Sequence, residues 1–138
     1  MSLVPERVED LKSWQEARNL VEIVSRLTTK EASGWDRGLV RDLRAGAVVS
    51  MSYIAEAHRQ PAPPDKRRSL DSALRSCKEV QSLLCVALDH AYLQRDEFDE
   101  AFRQAEVVSD LLKVALNYLP RQGDRKSSPS PKRSQGIQ

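Results

Sequence analysis

The sequence predicts an all-α protein, an up-down-up-down antiparallel four-helix bundle. Three observations carry that prediction. Apolar residues recur every three or four positions over four long segments, the spacing that lines one face of a helix. Short breaks rich in Gly, Pro or Asp separate the segments, and short connections make successive helices antiparallel neighbours. The composition agrees: there are only 5 glycines in 138 residues, and Leu, Ala, Val, Glu, Arg and Ser are prominent, a set that favours helix. One domain is expected at this length, with a lean, mainly aliphatic core.

Residues 1–9 read as an irregular lead, 10–120 as the bundle and 121–138 as a disordered basic tail. Helix one follows Asp10, a candidate N-cap, with Leu11, Trp14, Ala17, Val21, Val24 and Leu27 on one face. It ends near Thr28 to Lys30, before Ala32-Ser33-Gly34. Ser33 with Asp36 resembles a capping box, so helix two is expected from about Trp35 to Arg59. Its stripe holds small residues, Gly46, Ala47, Ser50 and Ala57, among Leu39, Leu43, Tyr53 and Ile54. Gly46 costs about 1 kcal/mol against Ala inside a helix, and close approach of a neighbouring helix is its explanation. Gln60-Pro61-Ala62-Pro63-Pro64 is a firm break, and proline can open the next helix because first-turn amides need no intrahelical acceptor. Helix three is expected from about Pro64 to Leu93, with a stripe through Leu70, Ala73, Leu74, Cys77, Val80, Leu84, Ala87, Leu88 and Ala91. Asp96 is the expected N-cap of helix four, which runs to about Leu119 before Pro120. The tail, RQGDRKSSPSPKRSQGIQ, lacks apolar periodicity and is rich in Ser, Pro and basic residues, the composition of disorder.

Helices three and four each carry a second apolar set, Leu83 with Val86, and Val107 with Leu111 and Val114. A single four-helix core does not need both sets. Surplus apolar surface favours oligomerisation.

Several function classes are absent from the pattern. The N-terminus has no apolar stretch after a basic start, and no apolar run reaches the ~18 residues of a membrane span; a cytoplasmic protein is expected. Cys77 and Cys85 lie on one predicted helix, ~12 Å apart along its axis. That is too far to bridge within the chain, and neither has a metal-ligand partner at a suitable spacing. His58 and His90 are isolated and read as surface or partly packed residues. Glu56 and His58 do not make the repeated Glu-x-x-His pattern of di-iron bundles. No nucleophile elbow and no Gly-rich phosphate loop is present. No catalytic residue, metal or cofactor is assigned, and no enzymatic activity is expected.

The ordered motifs are more specific. Asp10-Leu11-Lys12-Ser13-Trp14-Gln15-Glu16-Ala17 fits D-L-x-x-W-Q-x-A, and Leu27-Thr28 follows at the helix end. Helix two opens on Gly38-Leu39, continues through Arg44-Ala45-Gly46 and closes on Tyr53-Ile54-Ala55-Glu56-Ala57, close to N-I-A-E-G. Ala73, Ser76 and Glu79 fit A-x-x-S-x-x-E on helix three, and Ala91-Tyr92-Leu93 its end. In this order and spacing the chain resembles, over about residues 10–119, the four-helix-bundle family of 23S rRNA-intervening-sequence proteins. That family is related to the accessory protein of diversity-generating retroelements. The chain departs from the family pattern at Met51, Tyr53, Ala57 and Arg75. The resemblance implies a bacterial four-helix bundle assembled into a homopentameric ring. It also implies nucleic-acid binding, in the retroelement branch beside a reverse transcriptase.

Charge supplies the candidate site. The net charge of +2 is unevenly spread: residues 37–78 carry 9 basic and 4 acidic side chains, residues 79–120 carry 3 and 8, and residues 121–138 carry 5 and 1. The basic set is Arg37, Arg41, Arg44, Arg59, Lys66, Arg67, Arg68, Arg75 and Lys78. Arg37, Arg41 and Arg44 share a helix face. Lys66-Arg67-Arg68 crowd the first turn of helix three, where cations oppose the helix dipole; that cost points to a use. The set could meet nucleic-acid phosphates, acidic helix-four residues of a neighbouring subunit, or solvent alone. No base-reading motif or aromatic platform accompanies it, so binding without strong sequence specificity is the expectation. The alternative is an assembly or adaptor protein whose basic and acidic faces serve subunits or a protein partner. Glu56 is read as half of a structural ion pair with Arg44 or Arg59, and Glu79 as paired with Arg75. Trp14 and Trp35 are read as packing residues.

Overall fold

The computed structural model describes residues 5–30 and 34–120. The expected tail (121–138), the start of the lead (1–4) and the Ser33 half of the proposed capping box lie outside the described residues. After a 3-10 turn, Val8–Asp10, four α-helices follow: α1 (Lys12–Lys30), α2 (Arg37–Arg59), α3 (Pro63–Asp89) and α4 (Arg95–Tyr118). There is no strand among the described residues.

The helix ends differ from expectation in ways that capping explains. Asp10 closes the 3-10 turn instead of capping α1, whose ladder begins with the Gln15 N–H on Leu11 O. Asp36 is itself the α2 N-cap, its Oδ1 accepting from the Leu39 N–H at 2.9 Å, as short acidic side chains do. At α4 the cap is Gln94 in place of Asp96: the Gln94 N–H donates to Glu97 Oε1 at 2.8 Å in a capping box. Helix α3 starts at Pro63 and stops at Asp89, short of Leu93. Ala91 has φ 61°; its N–H bonds Leu88 O, and the Tyr92 N–H bonds Ala87 O. That is a Schellman stop, which usually takes glycine. An alanine there gives no sign of it in the sequence.

Packing runs around a closed square, α1 on α2, α2 on α3, α3 on α4 and α4 on α1. The start of α3 lies against the ends of α2 and α4, and the end of α1 against the start of α4, so successive helices are antiparallel. The core forms two apolar clusters, one around Leu20, Leu43, Leu84 and Phe98, the other around Ile54, Ala73, Val108 and Leu112. Fully buried Ser50, Cys77 and Ser109 lie between them along the helices. The Ser50 hydroxyl donates to Ala47 O at 2.7 Å. Ser109 Oγ has no partner of normal geometry among the described residues and is left with the Cys77 thiol, a weak acceptor.

The α2–α3 seam is the tightest. A Cβ on Gly46 would come within 2.9 Å of Val80 Cγ2, so only glycine lets the backbones approach this far. The close helix approach expected at Gly46 is therefore present.

Candidate nucleic-acid interface and assembly faces

Each helix end carries unpaired carbonyls and a partial negative charge, and the antiparallel bundle gathers the ends of α2 and α4 beside the start of α3. Three predicted site residues are used to satisfy such groups. Lys66 Nζ donates to Ala57 O at 3.0 Å and His58 O at 3.4 Å, closing α2. Arg67 Nη2 donates to the carbonyls of Leu116, Leu119 and Pro120 at 3.3 to 3.4 Å, closing α4. Arg44 reaches Thr28 Oγ1 at 2.8 Å and Thr29 Oγ1 at 2.9 Å, tying α2 to the end of α1. The cost expected for cations in the first turn of α3 is thus offset by the two neighbouring C-termini. Lys66 and Arg67 have a structural use.

The other six are exposed. Arg41 meets the adjacent Asp42, and Arg68 pairs with Asp65. Arg75 donates to Ser72 Oγ at 3.0 Å, in place of the expected pairing with Glu79. Arg37, Arg59 and Lys78 have no polar partner among the described residues. The nine do not form one patch. Arg37 and Arg41 open α2 at one end of the bundle, Arg59 and Arg68 lie at the opposite end with Lys66 and Arg67, and Arg75 and Lys78 lie midway along α3. Arg67 also holds Pro120, the last described residue, at that second end.

The expected ion pair of Glu56 is not found. Glu56 is exposed, accepts from the Ser69 hydroxyl at 3.2 Å and pairs with neither Arg44 nor Arg59, because its position turns to the outer side of the α2–α3 seam. A groove runs along that side. Its largest hollow, about 660 Å³, is lined by Val49, Tyr53, Leu74, Asp71, Arg75 and Lys78 among others. Smaller hollows extend it toward Glu56 and Arg68 at one end and toward Asp42, Val86 and His90 at the other. Asp36, Asp42, Glu56, Asp65, Asp71 and Glu79 all line this groove, so the α2–α3 side is mixed in charge rather than a basic surface.

Sequence reasoning missed one site feature and foresaw another. The aromatic stack that seals the start of α2 has Trp35 on Tyr92 at 5.1 Å between centroids and His90 on Tyr92 at 5.5 Å. It joins residues far apart in the chain and leaves no local pattern. Of the second apolar sets, by contrast, three members do reach the surface, Val86 at 40% exposed, Val107 at 36% and Val114 at 51%, while Leu83 and Leu111 are half-buried; Val49 of α2, in neither set, is exposed as well.

No three His, Cys, Asp or Glu side chains converge as metal ligands would among the described residues. Burial pushes the Cys77 thiol up to about 11, against weaker lowering by Ser109 and Ser50, so it is protonated and unreactive at neutral pH. Cys85 is exposed. His58 Nε2 donates to Glu6 O at 2.9 Å, fastening the lead to α2. No described helix is long and apolar enough to cross a membrane.

Comparison with known proteins adds the following. A family model described as 23S rRNA-intervening sequence protein matches residues 9–114. No curated protein matches the chain. Among solved structures, a protein of unknown function from the S23 ribosomal protein family of Bacteroides thetaiotaomicron is similar. It shares 18% identity at a TM-score of 0.66, over 80% of this chain and 98% of its own. At that identity the likeness concerns the fold.

Proposed function

The chain belongs to the 23S rRNA-intervening sequence protein family, and from that premise we propose that it is a non-enzymatic, ring-forming homo-oligomer, a pentamer favoured, that binds RNA or DNA through charge. The observation that carries this reading is the basic end of the bundle. Exposed Arg59 and Arg68 lie there beside the Lys66 and Arg67 clamps, and the sequence of 121–138 adds five basic side chains. Repetition of one such end around a ring converts a weak polyanion contact into an avid one. Phosphate contacts of this kind release counterions, so affinity falls steeply as salt rises.

The test is fluorescence anisotropy with labelled single-stranded RNA and DNA, at ~50 and ~200 mM salt where such contacts differ strongly. Binding at low salt that collapses at high salt is expected. Arg59→Glu with Arg68→Glu weakens it at least tenfold while leaving the oligomer intact, and deletion of 121–138 weakens it further. Absence of binding at ~50 mM salt overturns the reading.

A second reading, an assembly or adaptor protein, is favoured by the mixed charge of the α2–α3 groove. On that reading charge substitutions in the groove break contacts between proteins and leave polyanion affinity unchanged.

A further inference from the structure

The groove on the α2–α3 side is unbalanced in charge. Six carboxylates line it against three cations, Arg68, Arg75 and Lys78. Contacts among the described residues do not cancel the excess. Glu56 accepts only the Ser69 hydroxyl, and Asp71 and Glu79 have neither an ion pair nor a side-chain hydrogen bond among the described residues. The middle of the groove also has an apolar wall of Val49, Tyr53 and Leu74, with Val49 exposed and Tyr53 half-buried. Such a surface fits a basic, extended segment that carries proline between its charges.

One such segment belongs to this chain. Arg67 holds the carbonyl of Pro120, the last described residue, and Arg68, the next residue of α3, lines the near end of the groove. The sequence continues for eighteen residues, with five basic side chains and one acidic. We infer that residues 121–138 seat in the α2–α3 groove of their own chain. Their Lys and Arg side chains meet Glu56, Asp71 and Glu79, and the Ser128-Pro129-Ser130-Pro131 run lies on Val49 and Tyr53. Length allows it: from Asp65 to Val86 the groove follows α3 for ~32 Å, and eighteen extended residues reach ~56 Å. Proline favours that extended form and packs on aromatic rings; Tyr53 supplies the ring. A tethered segment meets its site at a high effective concentration, so weak contacts suffice. Docking occupies the cations that a polyanion would also use, so groove and polyanion compete for them. The docking stands apart from the proposed function, and only the competition rests on it.

The experiment treats the full-length chain with a water-soluble carbodiimide, which joins a lysine amine to a carboxylate where the two touch. Mass spectrometry maps the joined peptides. Lys126 and Lys132 joined to Glu56, Asp71 and Glu79 are expected, in a denaturing-gel band with the 15.6 kDa mass of one chain. Joining at Asp71 falls about fivefold in the variant Glu56→Gln with Glu79→Gln, and as far in the unsubstituted chain at ~1 M salt, where charges are screened beyond ~3 Å. Both substituted residues are exposed; circular dichroism checks the variant's fold, and the salt arm needs no variant. Absence of these joins, or equal joining to the exposed Glu106 and Asp110 of α4, overturns the docking. Joins found only in a band of twice the mass place the segment on another copy and overturn docking within the chain. Single-stranded RNA added first lowers the yield if the two compete. A join that RNA leaves unchanged keeps the docking and overturns the competition.

Discussion

The α2–α3 and α1–α4 seams sit on opposite sides of one bundle and are held by different means. Across α2–α3 the contact is backbone-close at Gly46, with Val80 filling the space that Gly46 leaves. Across α1–α4 the outer rim is held by long polar side chains, Arg26 on Glu100 and Gln104 on Glu16. The first contact is steric and cannot stretch or swell, because a packed interior tolerates little added volume. The second is electrostatic, half in water, and is worth little. A rigid seam gives its groove a fixed shape. The α1–α4 rim is clasped instead by polar side chains that stay partly or fully exposed, above a buried apolar contact.

The largest expected effect breaks the rigid seam. Gly46→Val drives two methyl groups into buried Val80 and should cost about 3 kcal/mol, the upper part of the range for overpacking. Urea denaturation should show a lower midpoint with little change in slope, and pairing the change with Val80→Ala should recover part of the loss. An unchanged midpoint would show that the helices can separate at no cost. Arg67→Met comes next. It keeps the apolar stem and removes the donor from the carbonyls of Leu116, Leu119 and Pro120 at and just past the end of α4, so a loss of about 1–2 kcal/mol is expected for charge-assisted bonds at a partly exposed site. Amide exchange should quicken at Leu116 to Leu119 more than in α1; uniform quickening would mean that Arg67 serves general stability and not the α4 end. The smallest effect belongs to the clasp. Arg26→Ala and Glu100→Ala should each cost below ~1 kcal/mol, with a coupling that fades in high salt. A coupling that persists in 1 M salt would contradict the contrast between the two seams.

Much of this was legible in the chain. The periodicity of Leu11 to Leu27 or Phe98 to Leu112 is local, and a helix face is set by residues within two turns of each other. Gly46 stood out because a glycine inside a strong helical pattern needs a reason. The stop at Ala91 did not, since the left-handed conformation fell on a residue that normally avoids it. Glu56 was misplaced because two apolar neighbours in sequence do not say which side of the helix a residue occupies relative to the bundle.

The sequence by itself determined four helices, their apolar faces, the surplus sets on α3 and α4, and the family. The reason is physical: helix spacing and backbone breaks are encoded over a few residues. Only the tertiary structure decided what each cation does. Arg67 lies 49 residues from Leu116 in the chain, and Lys66 closes a helix other than its own. Nothing local in Lys66-Arg67-Arg68 separates the two that close neighbouring helices from the one that stays at the surface. Antiparallel packing makes that division, by setting two helix C-termini beside one N-terminus.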